Sequence, residues 1–390
     1  MKNYLLLILL VLGFGKAVAQ VDTPVPIDSN YSLLSNPYIQ MEATQAINDM
    51  YNFRFERSMS HFNYLRKQYG WHPLPYFLMG MNSFWRILPN FNETKYDKQF
   101  LAYMDTSMYL AERLYKDLNR VEGAFFLSSI YAFQGRFYSE RKEWTKSAFA
   151  GKNALKYLEE CKGYGDLNPE LLFGDALFNY YAEWVPENYP FLKPVMAMFP
   201  DGDKEKGIEQ LKTVARNAFY TRTEAQYYLM RILYFDENKT AEAMQLGEYL
   251  HKTFPRNAYF HRFYTQLLYQ TGRYDQAMKE SRSIINRIDS AFEGYEYNSG
   301  RYAAFFLGHI SEIRKNYLEA IQYYKLAMEY GEAAGATDKG YYIYSVLHLA
   351  RIEDKAGNVD KAKEYYKYVK KITDRKHSAN KEARERLREL

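Results

Sequence analysis

The sequence predicts an all-α fold, a superhelix of antiparallel helix pairs stacked as an α-solenoid, about eight pairs in all. Three observations predict it. The stretches "KTAEA", "TGRYDQA", "KNYLEA" and "GNVDKA" end at Ala243, Ala277, Ala320 and Ala362, at intervals of 34, 43 and 42 residues; a period in this range marks a repeat array. Forty tyrosines and 25 phenylalanines, against 12 prolines and 21 glycines in 390 residues, describe a folded chain rather than a disordered one. Small residues alternate with aromatics along the helical stretches, as close helix crossings require. One helix pair cannot bury its apolar face alone, so neighbours must stack.

Taken in order, residues 1–19 read as a secretory signal peptide: Lys2, an apolar run from Tyr4 to Phe14, then Ala17-Val18-Ala19. The run is short for a bilayer span, and no later apolar stretch approaches 18 residues. Gln20 stands where a lipoprotein would carry cysteine. Residues 20–38 read as a flexible lead-in. Divergent helix pairs fill 39–220. The first covers 39–70, with Ala46, Ser58 and Phe62 at its contacts and "YGWHP" closing it. "LPYFLMGMNSFWRIL" and "QFLAYMDTSMYLAERLYKDL" form a second around a loop from Asn90 to Tyr96. "EGAFFLSSIYAFQGRFYSER" and "EWTKSAFAGKNALKYLEE" form a third. "PELLFGDALFNYYAEW" and "DKEKGIEQLKTVARNA" form a fourth across a proline-bearing loop, 186–202, with Asp203 as a helix cap.

The array from 221 to 374 is the most regular. In the unit from 301, Leu307-Gly308 are followed by Tyr317, Ala320, Tyr324 and Ala327. Leu349-Ala350, Gly357, Ala362, Tyr366 and Val369 repeat those offsets. The unit from 258 supplies Tyr264, Gly272, Tyr274 and Ala277; that from 224 supplies Tyr227, Ala243, Leu250 and Pro255. Gly272 is expected to end one helix and Asp275 to cap the next. With its 34-residue unit this pattern resembles the tetratricopeptide repeat (TPR) family, in an exported bacterial form. The resemblance implies a right-handed superhelix. Residues 375–390 read as a charged capping helix.

The family places interaction residues at offsets 2, 5, 9 and 12 of each first helix. Carried over, this implies a concave groove presenting Tyr228, Tyr259, Arg262, Gln266, Tyr269, Tyr302, Phe305, His309, Tyr344 and Arg351, with Ile232, Phe235, Glu312, Leu347 and Asp354 beside them. Aromatics with interspersed arginine are the types enriched at protein interfaces. The clamp that TPR proteins use for chaperone tails needs Lys and Asn at two of these offsets; Arg262 with Gln266 and Phe305 with His309 depart from it.

Signals for chemistry are absent. Seven scattered histidines show no HExxH spacing, and Cys161 is the only cysteine, so no metal-ligating set is expected and no internal disulfide is available. Its neighbouring glutamates raise a thiol pKa, which makes Cys161 an inert packing residue. Asp201, Asp203 and Glu205 alternate as in a calcium loop, but Lys206 and Lys212 stand where glycine and glutamate are needed. Neither a nucleophile elbow nor a phosphate-binding loop is present. No catalytic residue and no cofactor is expected.

Loss of the leader with Lys2 and Lys16 takes the net charge from +5 to +3, which does not call for a nucleic-acid partner. The expected function is an exported scaffold, periplasmic or outer-membrane-associated, binding protein partners of the envelope through the groove. The alternative is glycan or peptidoglycan-fragment binding near Trp184. Hydrolysis there would need two carboxylates about 5 to 10 Å apart.

Overall fold

A computed structural model describes residues 32–165, 168–190, 193–197 and 199–390. The expected leader and the first part of the lead-in lie outside the described residues. Among the described residues there is no β-strand, and consecutive helices pack as hairpins, the all-α stack of helix pairs expected. The described residues divide into two compact units, those up to 87 with 94–236, and residues 88–93 with 237–390. The division falls within the unit from 224.

In the first unit, α1 (Pro37–Tyr51) pairs with α2 (Phe55–Tyr69), α3 (Pro73–Ile87) with α4 (Asp97–Arg113), and α5 (Arg120–Glu140) with α6 (Trp144–Glu159). Then α7 (Pro169–Asn188) continues through Pro186, and after the single turn α8 (Lys193–Met196) it pairs with α9 (Lys204–Asn217). Against α9 packs α10 (Arg222–Arg231). Asn36, Asn119 and Asn168 cap α1, α5 and α7, each side chain accepting from backbone N–H groups of the first turn that have no helical partner. Asp203 caps α9 as expected, its Oδ1 accepting from Lys206 N at 2.8 Å. Trp85 sits at the centre of the unit with no exposure, edge-on to Tyr51 and Tyr227, its Nε1 donating to Glu224 Oε1 at 2.8 Å.

The end of the expected lead-in is part of this core. Leu33 and Leu34 are buried, and both their N–H groups donate at 2.9 Å to Glu122 Oε1. Two leucines in "NYSLLSN" carry enough apolar surface to hold the segment down, about 1.5 to 3 kcal/mol each.

In the second unit, α11 (Thr240–Thr253) packs on α12 (Ala258–Gln270), which pairs with α13 (Tyr274–Asp289). The pairs α14 (Tyr297–Ile313) with α15 (Tyr317–Ala333), and α16 (Gly340–Lys355) with α17 (Val359–Ile372), follow, and α18 (Ser378–Glu389) closes the unit. Ala277, Ala320, Ala350 and Ala362 are fully buried, as the repeat register requires. Gly308 admits the ring of Tyr324, since a Cβ there would lie 2.8 Å from Tyr324 Cδ1.

Five of the hairpin turns, and the entry to α11, share one signature. Phe53, Lys142, Asn238, Gly272, Lys315 and Gly357 all have positive φ, between 54° and 77°, and each stands two residues before the next helix. Glycine reveals this position in only two of the six. Asp275, expected as a cap, lies in the first turn of α13 and makes no capping bond; its carboxylate accepts from Arg314 Nη2 at 2.7 Å. The left-handed residue two places before the helix already shapes the entry there.

Candidate functional site

The structure corrects the expected groove. Of the ten residues assigned to it, Tyr259, Arg262 and Phe305 are buried, the other seven are half-buried, and none is fully exposed. Tyr228 belongs to the first unit, where its hydroxyl accepts from Arg136 Nη1 at 3.0 Å; the other nine belong to the second.

Arg262 is drawn inward. Its Nη1 donates to Pro89 O, Glu296 Oε1 and Ser299 Oγ at 3.0 to 3.2 Å, and its guanidinium lies over the rings of Tyr259 and Tyr302. Burial raises the Glu296 carboxyl pKa, opposed by Arg262 and by bonds from Ser299 and Asn298. The segment 88–93 therefore covers this part of the face, with Asn298 Nδ2 also donating to Pro89 O.

Further along, the hydroxyl of Tyr269 meets His309 Nδ1 at 2.7 Å, and Phe305 lies parallel to the His309 ring. Glu312 Oε2 takes two bonds of 2.7 Å, from Tyr324 Oη within its own hairpin and from His348 Nδ1 in the next. Burial pushes the Glu312 carboxyl up, but these two bonds outweigh it and its pKa is lowered. Burial, and His348 beside it, hold His309 below its ordinary value.

The last hairpin repeats this arrangement with α18 in place of a further repeat. Asp354 Oδ2 accepts from Tyr366 Oη at 3.1 Å within the hairpin, and from Arg386 Nε and Nη2 at 2.9 and 2.7 Å. Arg351 makes a two-pronged pair with Glu382, both bonds 2.6 Å, and Tyr344 Oη lies 3.2 Å from Ser378 Oγ. The capping helix thus occupies Arg351 and Asp354, positions the offsets assign to a ligand, while its bond to Tyr344 is exposed. What remains as outward-facing groove is narrower: Gln266, Tyr302 and Tyr344, with the rim of Tyr269 and His309.

Three features were invisible in the sequence. His251, His261 and Glu280, from three successive helices, bring their ligand atoms within 4.8 Å of one another; separations of 10 and 19 residues follow no motif. Spacing along the chain had pointed to no metal-ligating set. In the first unit a small cavity of about 30 Å³ is lined by Leu34, Met50, Phe77, Met81 and Phe126, with Glu224 at its wall. Glu224 Oε2 is buried without a hydrogen-bond partner. Glu170 accepts from the N–H groups of Tyr220 and Thr221 at 3.0 and 2.9 Å, shaping the turn into α10.

Around Trp184 the two nearby carboxylates are engaged. Glu183 accepts from Lys204 N, and Glu187 pairs with Lys204 Nζ. Trp184 stands edge-on to Tyr181 and Tyr189 rather than presenting an isolated face. Cys161 is buried, and burial pushes its thiol up to about 12, so it carries no thiolate at neutral pH.

Neither protein-family models nor curated proteins give a match to this chain. No described helix is long and apolar enough to cross a membrane.

Proposed function

We propose that the protein is an exported scaffold of the TPR type that binds a protein partner in the cell envelope, in the periplasm or at the outer membrane, and that it is not an enzyme. The observation that carries this reading is the hairpin stack itself. Five of its turns share one backbone signature, and its successive carboxylates, Glu312 and Asp354, each tie one hairpin to the element after it. Such a stack spreads side chains over a long face instead of converging them on one reacting bond. The recognition strip is Gln266, Tyr302 and Tyr344: half-exposed, spaced along α12, α14 and α16, and combining amide or hydroxyl tips with aromatic area. A small positive charge and the expected leader favour a protein partner over nucleic acid.

The test is retention of envelope proteins on the immobilised chain, beside a triple variant Gln266→Ala, Tyr302→Ala, Tyr344→Ala whose helicity and melting point are checked. Tyr259 and Arg262 are excluded because both are buried and their loss would disturb the fold. One protein retained by the parent and lost by the folded variant supports the reading. Equal retention by both moves binding off this strip. Retention of peptidoglycan fragments in place of protein would replace the proposal with the glycan reading.

A further inference from the structure

We propose that His251, His261 and Glu280 form a site for a divalent transition metal, with Zn²⁺ the best match. The residues lie on α11, α12 and α13 of the second unit. Nε2 of His261 and Nε2 of His251 approach the same oxygen, Glu280 Oε2, at 2.9 and 3.7 Å. A tetrahedral ion with metal–ligand bonds of ~2.0–2.1 Å sets its ligand atoms about 3.3 Å apart, between those two values. Two imidazoles and one carboxylate suit zinc better than magnesium or calcium, which take oxygen ligands.

The surroundings agree. His261 Nδ1 lies 2.8 Å from Tyr295 Oη, which Arg287 Nη1 in turn fixes at 2.6 Å. A ligating imidazole needs such an outer bond: with its Nδ1–H on the tyrosine oxygen, His261 turns Nε2 toward the ion. Side-chain exposures of 15% at His251 and 20% at Glu280 leave the edge of the site open to an entering ion. Three protein ligands leave a fourth position for water.

Two features oppose the ion and set what binding must do. The imidazole rings stack at 4.4 Å with 24° between their planes, so one ring must turn about its Cβ–Cγ bond for both lone pairs to converge. Arg287 adds positive charge nearby and weakens the affinity.

The experiment titrates chelator-treated full chain with Zn²⁺ by calorimetry, and with Co²⁺ while recording its visible absorption. One equivalent of Zn²⁺ and the intense bands of a four-coordinate Co²⁺ are expected. His251→Gln and Glu280→Gln, both at partly exposed positions, each lower the affinity at least tenfold while keeping the parent's helicity, and His61→Gln leaves it unchanged. Absence of saturable uptake by the parent overturns the site. So does uptake that both His251→Gln and Glu280→Gln leave intact, because the ion is then bound elsewhere.

Discussion

Replacing Lys315 by glycine is expected to stabilise the second unit, and replacing Gly357 by alanine to destabilise it by a similar amount. Both residues occupy the position two before a second helix, with φ of 63° and 77°. A residue with a Cβ pays about 1–2 kcal/mol in this left-handed region, while glycine loses about 0.5–1 kcal/mol more backbone entropy on folding. The difference, about 0.5 to 1 kcal/mol, favours glycine. Nothing lies within 4 Å of a Cβ built on Gly357, and Lys315 is exposed, so packing does not blur the comparison. Thermal unfolding followed by circular dichroism reads the change as about 1–4 °C for a unit of this size. The converse holds at Phe53, which is fully buried against Phe55 and Trp85: there Phe53→Gly relieves the same strain but forfeits about 3–5 kcal/mol of packing. The reasoning is refuted if Lys315→Gly lowers the melting temperature or Gly357→Ala raises it.

Other outcomes follow from the same geometry. Gly308→Ala drives a methyl into the Tyr324 ring and is expected to cost about 1–3 kcal/mol, partly restored by Tyr324→Leu, as denaturant unfolding would show. Tyr324→Phe removes one of the two bonds to Glu312 and costs about 1–3 kcal/mol, with the larger share at neutral pH, where the carboxylate is ionised. Because the fold lowers the His309 pKa, the unfolded chain binds that proton more readily. The stability from this group is full above the unfolded value near 6.5 and falls as pH drops below it. His309→Gln should flatten the stability profile over that range, and a parent that gains stability on acidification would contradict the assignment. Glu382→Ala, breaking a partly exposed pair with Arg351, should cost about 1 kcal/mol or less, whereas Ala383→Asp, placing a charge on the buried face of α18, should detach the helix, visible as faster hydrogen exchange in α17 and α18.

The hairpins were legible because their signals are local. Buried alanines in register, an aromatic filling the space beside Gly308, and glycine at 272 and 357 all follow from steric rules acting within one repeat. Lys142, Asn238 and Lys315 carry the same backbone angle without a residue type that announces it, so the turn's regularity appears only in the fold. Asp275 looked like a cap because aspartate near a helix start usually is one; an arginine 39 residues away took its carboxylate instead. The groove is narrowed for a similar reason. Offsets say which side of a helix a residue is on, but not what covers it. Segment 88–93 over Arg262, and α18 over Arg351 and Asp354, arrive from distant parts of the chain. The histidine cluster was hidden in the same way, assembled by three helices with no spacing rule between them.

The final helix has a consequence for assembly. An array whose hairpins are joined by one interchangeable rule has an open end by construction, and an open end invites another copy to continue it. By presenting Arg386 to Asp354 and Glu382 to Arg351, α18 satisfies the terminal hairpin with residues of its own chain. Any other occupant of that face has to displace α18 before it meets Asp354 or Arg351.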